Sequence, residues 1–238
     1  TVENSTINGA VEISNGNNSK VALTIGKGTT VSGSLVDGGN GDKVAVTKDK
    51  SVSVAAPNGY KWVDGENGQT LAKIVMVAEV NGKQYETLQE AIDAASKNQT
   101  VKLIADTTEN VTMKTPYLTL DLNGHTLNGG QVKGTPALTV TARVTVKDTS
   151  AEQTGTIMRE DTADNSGVSS HYVIDIQGNG WLTFESGNVT NNSGVVGVKG
   201  ASLVRVGDDS VAKYPGLNIK GGSFRQDNFI AIKVDRGD

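Results

Sequence analysis

The sequence predicts a mostly β chain of solenoid type, and three observations predict it. Composition is the first: 29 of 238 residues are Gly and aromatics are only 4%. With Val, Thr, Asn and Ser abundant, this favours strands joined by turns over helices. The second is a lone helical signature inside the stretch Val77 to Gly124. Leu88, Ala91, Ile92 and Ala95 fall at i, i+3, i+4 and i+7, one apolar stripe of a short helix. Thr87 and Glu90 form a capping box, Asp93 and Lys97 an i, i+4 ion pair, and Asn98 suits the left-handed residue that ends a helix. The expected helix spans about 87–97. The third observation is that apolar residues recur at every second position almost everywhere else. The first round of a stacked-strand solenoid exposes its core and an unpaired edge, so a single amphipathic helix ahead of many short strands reads as its lid.

Taken in order, residues 1–55 show strand text between Gly, Asn and Asp turns: Val11 and Ile13; Val21, Leu23 and Ile25; Val31 and Leu35; Val44 and Val46; Val52 and Val54. Tyr60 and Trp62 then precede the turn signals Asp64-Gly65 and Asn67-Gly68, which predict a hairpin with its aromatics packed across it, and a boundary near residue 76. After the helix come Val101 and Leu103, Val111 and Met113, and Leu118, Leu120 and Leu122. Leu138 to Val146 is the longest clean alternation. Further strands are expected at Ile157–Met158, 172–176, 182–184, 195–198, 203–206, 217–219 and 230–234, with 161–171 a long polar loop. Leu182–Val189 (LTFESGNV) and Leu217–Phe224 (LNIKGGSF) echo each other at an offset that fits one round with an insertion or two short ones. Residues 76–238 would then form roughly seven rounds at the ~4.8 Å strand spacing.

The net charge of −4 comes without a basic cluster interleaved with aromatics, which argues against nucleic acid as a partner. The longest apolar run, Ile74 to Ala78, is far short of the ~20 residues of a membrane span, so no membrane insertion is expected. The chain has no Cys, which removes disulfides and thiolate metal sites. It begins and ends in strand-like text, as a piece of a larger protein would.

The text VAEVNGKQYETLQEAIDAA, followed by VKLIAD, NVTM and LTLDLNGHTLNG, resembles the opening of right-handed parallel β-helix modules of pectin-lyase-like fold in large surface proteins of Gram-positive gut commensals. The resemblance covers residues 77–128 well and the rest loosely, through GGSF-type turns. It implies that 1–75, ending in VAAPNGYKWVDGENGQTLAKI, is the closing part of a preceding strand-rich module, and that 76–238 is a helix-capped parallel β-helix. It also implies an extracellular setting, at the bacterial cell surface or secreted, with flanking modules of the same parent chain as neighbours. Some proteins of this kind bind host ligands, including immunoglobulin-binding surface proteins that act as superantigens.

The same fold hosts polysaccharide-active lyases and glycosidases, so acids need weighing. Asp208-Asp209 resembles the paired aspartates of β-helix polygalacturonases, but the Asn-Thr-Asp, His-Gly and Arg-Ile-Lys segments of that family are missing, and a Gly-Asp-Asp turn explains the pair. Glu160, Asp161 and Asp164 are neighbours with no converging base. His125 and His171 lack partners at metal-ligand spacing, and Gly38–Asp42 reads as a turn. No catalytic residue, metal site or cofactor is therefore expected. Binding candidates are the side chains around the polar loop: Arg159, His171, Tyr172 and Trp181, residue types that dominate recognition hot spots. Alternation turns Trp181 outward with Thr183. The expected function is a non-enzymatic binding region of a bacterial surface protein, engaging a host protein such as immunoglobulin, or a glycan. The alternatives are a polysaccharide-active enzyme and a passive stalk.

Overall fold

The computed structural model describes residues 1–16, 20–131, 134–160, 172–192, 202–207, 214–226 and 230–235. The chain is mostly β and divides into two compact units, Thr1–Val75 and Met76–Asp238, each with its own apolar core.

In Met76–Asp238 the strands build three parallel sheets, and each sheet takes every third strand. The first sheet stacks Thr100–Leu103, Thr119–Asp121, Arg143–Lys147, Trp181–Phe184 and Gly216–Ile219. A second runs through Thr107–Thr108, Thr126–Asn128, Thr156–Glu160, Asn188–Asn192 and Ser223–Arg225. The third holds Val111–Met113, Leu138–Val140, Ile174–Ile176, Val204–Val206 and Ile232–Val234. Among the described residues the chain thus makes five rounds, fewer than the seven expected, because the connections after the second sheet are longer than a turn. Such stacking is compatible with a β-helix. The echo between 182–189 and 217–224 is one round: Leu182 pairs with Leu217 and Val189 with Phe224.

Register aligns like with like. Val101, Leu120, Val146 and Phe184 form one inward file and Val111, Leu138, Ile174 and Val204 another, each residue at most 1% exposed. The alternation from Leu138 to Val146 is not one strand but two, in different sheets, with the chain turning at Thr141-Ala142. Val140, Ala142 and Val144 are buried while Thr141 and Arg143 are exposed, so the period of two runs through the corner. Residues 195–198 lie outside the described residues.

The helix spans Leu88–Ala94, shorter than 87–97, because Ala95 is already extended. Thr87 Oγ1 accepts from the Glu90 N–H at 3.2 Å. A second acceptor comes from farther along the chain: Glu109 takes the N–H groups of Leu88 and Gln89 at 2.8 and 3.2 Å, a carboxylate set against the positive end of the helix dipole. The pair Asp93 and Lys97 does not form. Asp93 meets Lys114 at 2.9 Å, Lys97 lies over the Tyr117 ring, and left-handed Asn98 belongs to the turn after the helix. Leu88, Ala91 and Ile92 are fully buried, and the helix packs on Ala78–Val80, Lys83–Tyr85, Thr100–Leu103 and Val111–Met113. It covers the start of the stack together with the antiparallel pair Ala78–Val80 and Lys83–Tyr85.

Corners after the first sheet are held by side chains that reach from round to round. Asp121 accepts from the Thr149 N–H and hydroxyl, and the Ser186 hydroxyl accepts from the Asp148 N–H while donating to its carbonyl. The Asp148 carboxylate takes N–H groups of Gly124, Ser150 and Gly155 at 2.9, 3.0 and 2.6 Å. Gly155 is required there, since a Cβ would lie 2.6 Å from Leu122 Cβ and 2.7 Å from that carboxylate.

The unit Thr1–Val75 repeats the parallel pattern in two rounds. Thr6–Ile7, Val11–Ser14 and Val21–Ile25 pair with Thr30–Val31, Leu35–Gly39 and Val44–Lys48. An antiparallel hairpin, Tyr60–Gly65 with Gly68–Lys73, then closes on Val44–Lys48. Val52 and Val54 are not strand but belong to this core. Trp62 packs there, its Nε1 donating to the Val54 carbonyl at 2.8 Å. The Tyr60 hydroxyl donates to Asp37 at 2.8 Å. Desolvation and that carboxylate push the Tyr60 hydroxyl up to about 12.

Two outcomes test this architecture. Ile92→Ala removes the centre of the helix's buried face and is expected to lower unfolding free energy by roughly 2–5 kcal/mol, read by urea denaturation, whereas the neighbouring exposed Asp93→Ala changes it little. Burial works against ionisation of Asp148, but the N–H groups of Ser150, Gly155 and Gly124 outweigh it and hold the carboxyl below its ordinary value. A depressed folded value means that its stabilisation is complete above about pH 4 and is lost as pH falls through the folded value. Asp148→Asn should therefore flatten the acid limb of a stability-versus-pH curve while lowering the neutral plateau.

Candidate functional site

Of the four residues singled out from sequence, three are among the described residues: Arg159, Tyr172 and Trp181. Arg159, a binding candidate from the sequence, is fully buried. It shares the inward face of Thr156–Glu160 with Ile157, while Met158 and Glu160 alternate to the other side. The sequence carried that signal, because Arg159 stands two residues from Ile157. Tyr172 is also buried, its ring beneath the Arg205 guanidinium at 5.5 Å. His171 lies outside the described residues, as do Asp208, Asp209, Asp161 and Asp164. Glu160 is engaged by Asn128 Nδ2 at 2.7 Å and by Gln131 Nε2 at 3.4 Å. His125 Nδ1 stands 3.5 Å from Asp106. Among the described residues no cluster of three His, Asp or Glu side chains could hold a metal ion.

Trp181 is the exposed member, at 38%. Leu182 and Phe184 point into the core beside it, and Trp181 and Thr183 point out. Two register partners fix its ring. Arg143, directly across one strand pair, sets its guanidinium 5.4 Å from the ring centroid. Gly216, across the other, leaves room for the indole, since a Cβ there would clash with the Trp181 ring carbons Cε3, Cζ3 and Cδ2. A cation over one aromatic face and a bare backbone at the next strand hold the indole against the sheet, with little freedom left to lose on binding. These partners were missed from sequence because they stand 38 and 35 residues away and only the pairing register unites them.

The surrounding face is regular. Thr100, Thr119, Thr145 and Thr183 are successive register partners and are followed by Asn218. Lys102, Asp121 and Lys147 are successive register partners, with the Asp121 carboxylate buried and taken up by Thr149, and farther along the sheet Glu185 meets Lys220 at 3.0 Å. Five rounds at the strand spacing give this face an extent of about 20 Å. It offers hydroxyls, charges of both signs and an aromatic plate, an arrangement suited to docking a ring or an apolar side chain.

Comparison with protein-family models, curated proteins and solved structures returns no match.

The indole geometry makes a direct prediction. Gly216→Val should displace Trp181 and shift its emission and its accessibility to acrylamide, in a Trp62→Phe background where Trp181 is the only indole, while the far-ultraviolet spectrum keeps its strand signal.

Proposed function

We propose that Met76–Asp238 is a right-handed parallel β-helix closed at its start by the helix Leu88–Ala94. On that reading the chain is a non-enzymatic binding region of a bacterial surface protein. Its lateral face engages a host protein, immunoglobulin among the candidates, or a glycan. The observation that carries the binding reading is the constrained, exposed Trp181, held between Arg143 and Gly216 on a strand whose Leu182 and Phe184 are fully buried. Aromatic residues on rigid scaffolds contribute affinity at small entropic cost, and Trp is enriched among the few side chains that dominate interfaces.

Other features support the reading. The lateral face is lined by short hydroxyl side chains and by charges of both signs, which gives specificity without a strong field of one sign. Thr87–Glu90 capping and the strand text of 77–128 fit the module type that the sequence resembles, in which extracellular display and neighbouring modules are the rule. A polysaccharide-active enzyme would instead draw on carboxylates grouped in a cleft. Glu160, the one described acid of the sequence candidates, is hydrogen-bonded to Asn128 and Gln131.

The test uses the intact chain against two probes, purified immunoglobulin and a glycan array. Binding to either is expected, and Trp181→Ala should weaken it at least tenfold, as truncation of a hot-spot Trp does. Arg143→Met, which keeps bulk and removes the cation, should weaken it less. Binding unchanged in Trp181→Ala would overturn this face as the site. Absence of binding to both probes would favour a passive stalk, and depolymerisation of an acidic polysaccharide would favour the enzyme.

A further inference from the structure

Trp181 has a counterpart two rounds earlier. Tyr117 is 49% exposed, and its N–H donates to the Arg143 carbonyl, so Tyr117 lies beside Arg143 as Arg143 lies beside Trp181. Each of the three stands two residues before a threonine of the outward file, Thr119, Thr145 or Thr183, with buried Leu118, Val144 or Leu182 between. One round before Tyr117 comes Asn98, two residues before Thr100. The adjacent Lys97 sets its ammonium 4.7 Å from the centroid of the Tyr117 ring. Along the stack, one corner of the first sheet thus carries Lys97, Tyr117, Arg143 and Trp181: cation, ring, cation, ring.

Backbone conformation marks Tyr117 as out of the ordinary. Asn98 and Tyr117 are both left-handed, at φ 66° and 60°. Asn suits that conformation and a bulky ring does not. Apart from Gly, the residues described at positive φ are five Asn, Gln153 and Tyr117. Asn meets the need of the corner one round earlier, so the turn gives no reason for a ring at Tyr117, and half of that residue stands in solvent. The reason lies on the outer surface.

Charge and spacing point to what the surface meets. Lys97 and Arg143 are exposed, and neither forms an ion pair among the described residues. Each is set against a ring, which leaves its charge open to an anion. Two rounds put Tyr117 and Trp181 about 10 Å apart along the stack, a span of roughly two sugar rings in an extended chain. The indole leans farther still, toward Gly216. Beside the column run the threonine hydroxyls, which both donate and accept. A folded protein gives no reason for ring and cation to recur at round spacing, whereas a polymer with its own repeat does.

We propose that this column binds a linear glycan carrying carboxylate or sulfate groups, laid along the stack. Its rings pack on Tyr117 and Trp181, its anionic groups meet Lys97 and Arg143, and its hydroxyls meet Thr119, Thr145 and Thr183. The inference rests on the Trp181 face being a binding surface, and adds Tyr117 as a second plate and an anionic chain as the ligand.

Calorimetry of the full chain with short and long oligosaccharides of hyaluronan and of chondroitin sulfate, and with neutral cellohexaose, tests it. Affinity for at least one acidic chain should rise at least about fivefold once the chain spans both plates, and should fall as salt is raised. Binding to hyaluronan assigns the carboxylate, and binding to chondroitin sulfate alone assigns the sulfate. Tyr117→Asn, which suits the left-handed corner, should abolish the gain from length without lowering thermal stability. Lys97→Gln with Arg143→Gln should remove most of the salt dependence. No binding of either acidic chain, equal affinity for cellohexaose, or an unchanged length dependence in Tyr117→Asn would each overturn the proposal. Immunoglobulin or glycan binding that Trp181→Ala removes and Tyr117→Asn leaves intact would overturn it and spare the Trp181 site. Binding that neither substitution changes would overturn both.

Discussion

The parallel pairing of each strand with its counterpart one round later is the interaction on which the rest of the structure depends. It fixes which side chains share an inward file, so that Leu120 stands on Val146 and Val146 on Phe184. A slip of one residue would turn every one of these outward. Parallel strands also need cover on the face that they bury. Three sheets supply that cover to one another by facing a common core.

Polar groups at the corners enforce the same register. Apolar files tolerate some sliding, since Val, Leu and Ile are similar in size, but a buried carboxylate with three N–H donors does not. Asp148 gathers Gly124 from the preceding round together with Ser150 and Gly155 from its own. Moving Gly155 leaves a buried donor without an acceptor, at about 1–3 kcal/mol, and moving Gly124 or Ser150 costs a part-buried bond. Glu109 does the corresponding work at the start of the stack, binding the helix N-terminus from 20 residues downstream. The lid is thus tied to the first round by a charge as well as by Leu88 and Ile92.

What the sequence made legible follows from the range of the signal. Period-two alternation is local, so inward residues such as Val101, Leu103, Val111 and Met113 could be read directly, and so could the Thr87 cap. The same locality misled at Thr141-Ala142, where alternation runs unbroken through a corner, and at Asp93-Lys97, where each side chain found a better partner outside the helix. Arg159 is a different case. Its residue type and its place near the polar loop make it a binding candidate, while its position two residues from Ile157 carries the inward signal that its burial follows. The Trp181 platform was half legible, because exposure follows from Leu182 and Phe184, but Arg143 and Gly216 come from neighbouring rounds of unequal length.

Unequal rounds have a consequence for where function can reside. The register interval along the first sheet grows from 19 residues between Thr100 and Thr119 to 38 between Thr145 and Thr183, while the strands themselves stay short. Most of the added length lies in the connections, outside the named strands, so away from anchors such as Asp148 and Gly155 sequence can vary there without disturbing the files. The lateral face has the opposite property. Each residue on it is bound to a register partner, as Gly216 is to Trp181, and a change at one position is felt by the next. A recognition surface on the sheet is therefore rigid and coupled from round to round, whereas one on the connections is adjustable. Trp181 combines the two, since it opens its strand at a corner and yet has its indole fixed by the strands on both sides.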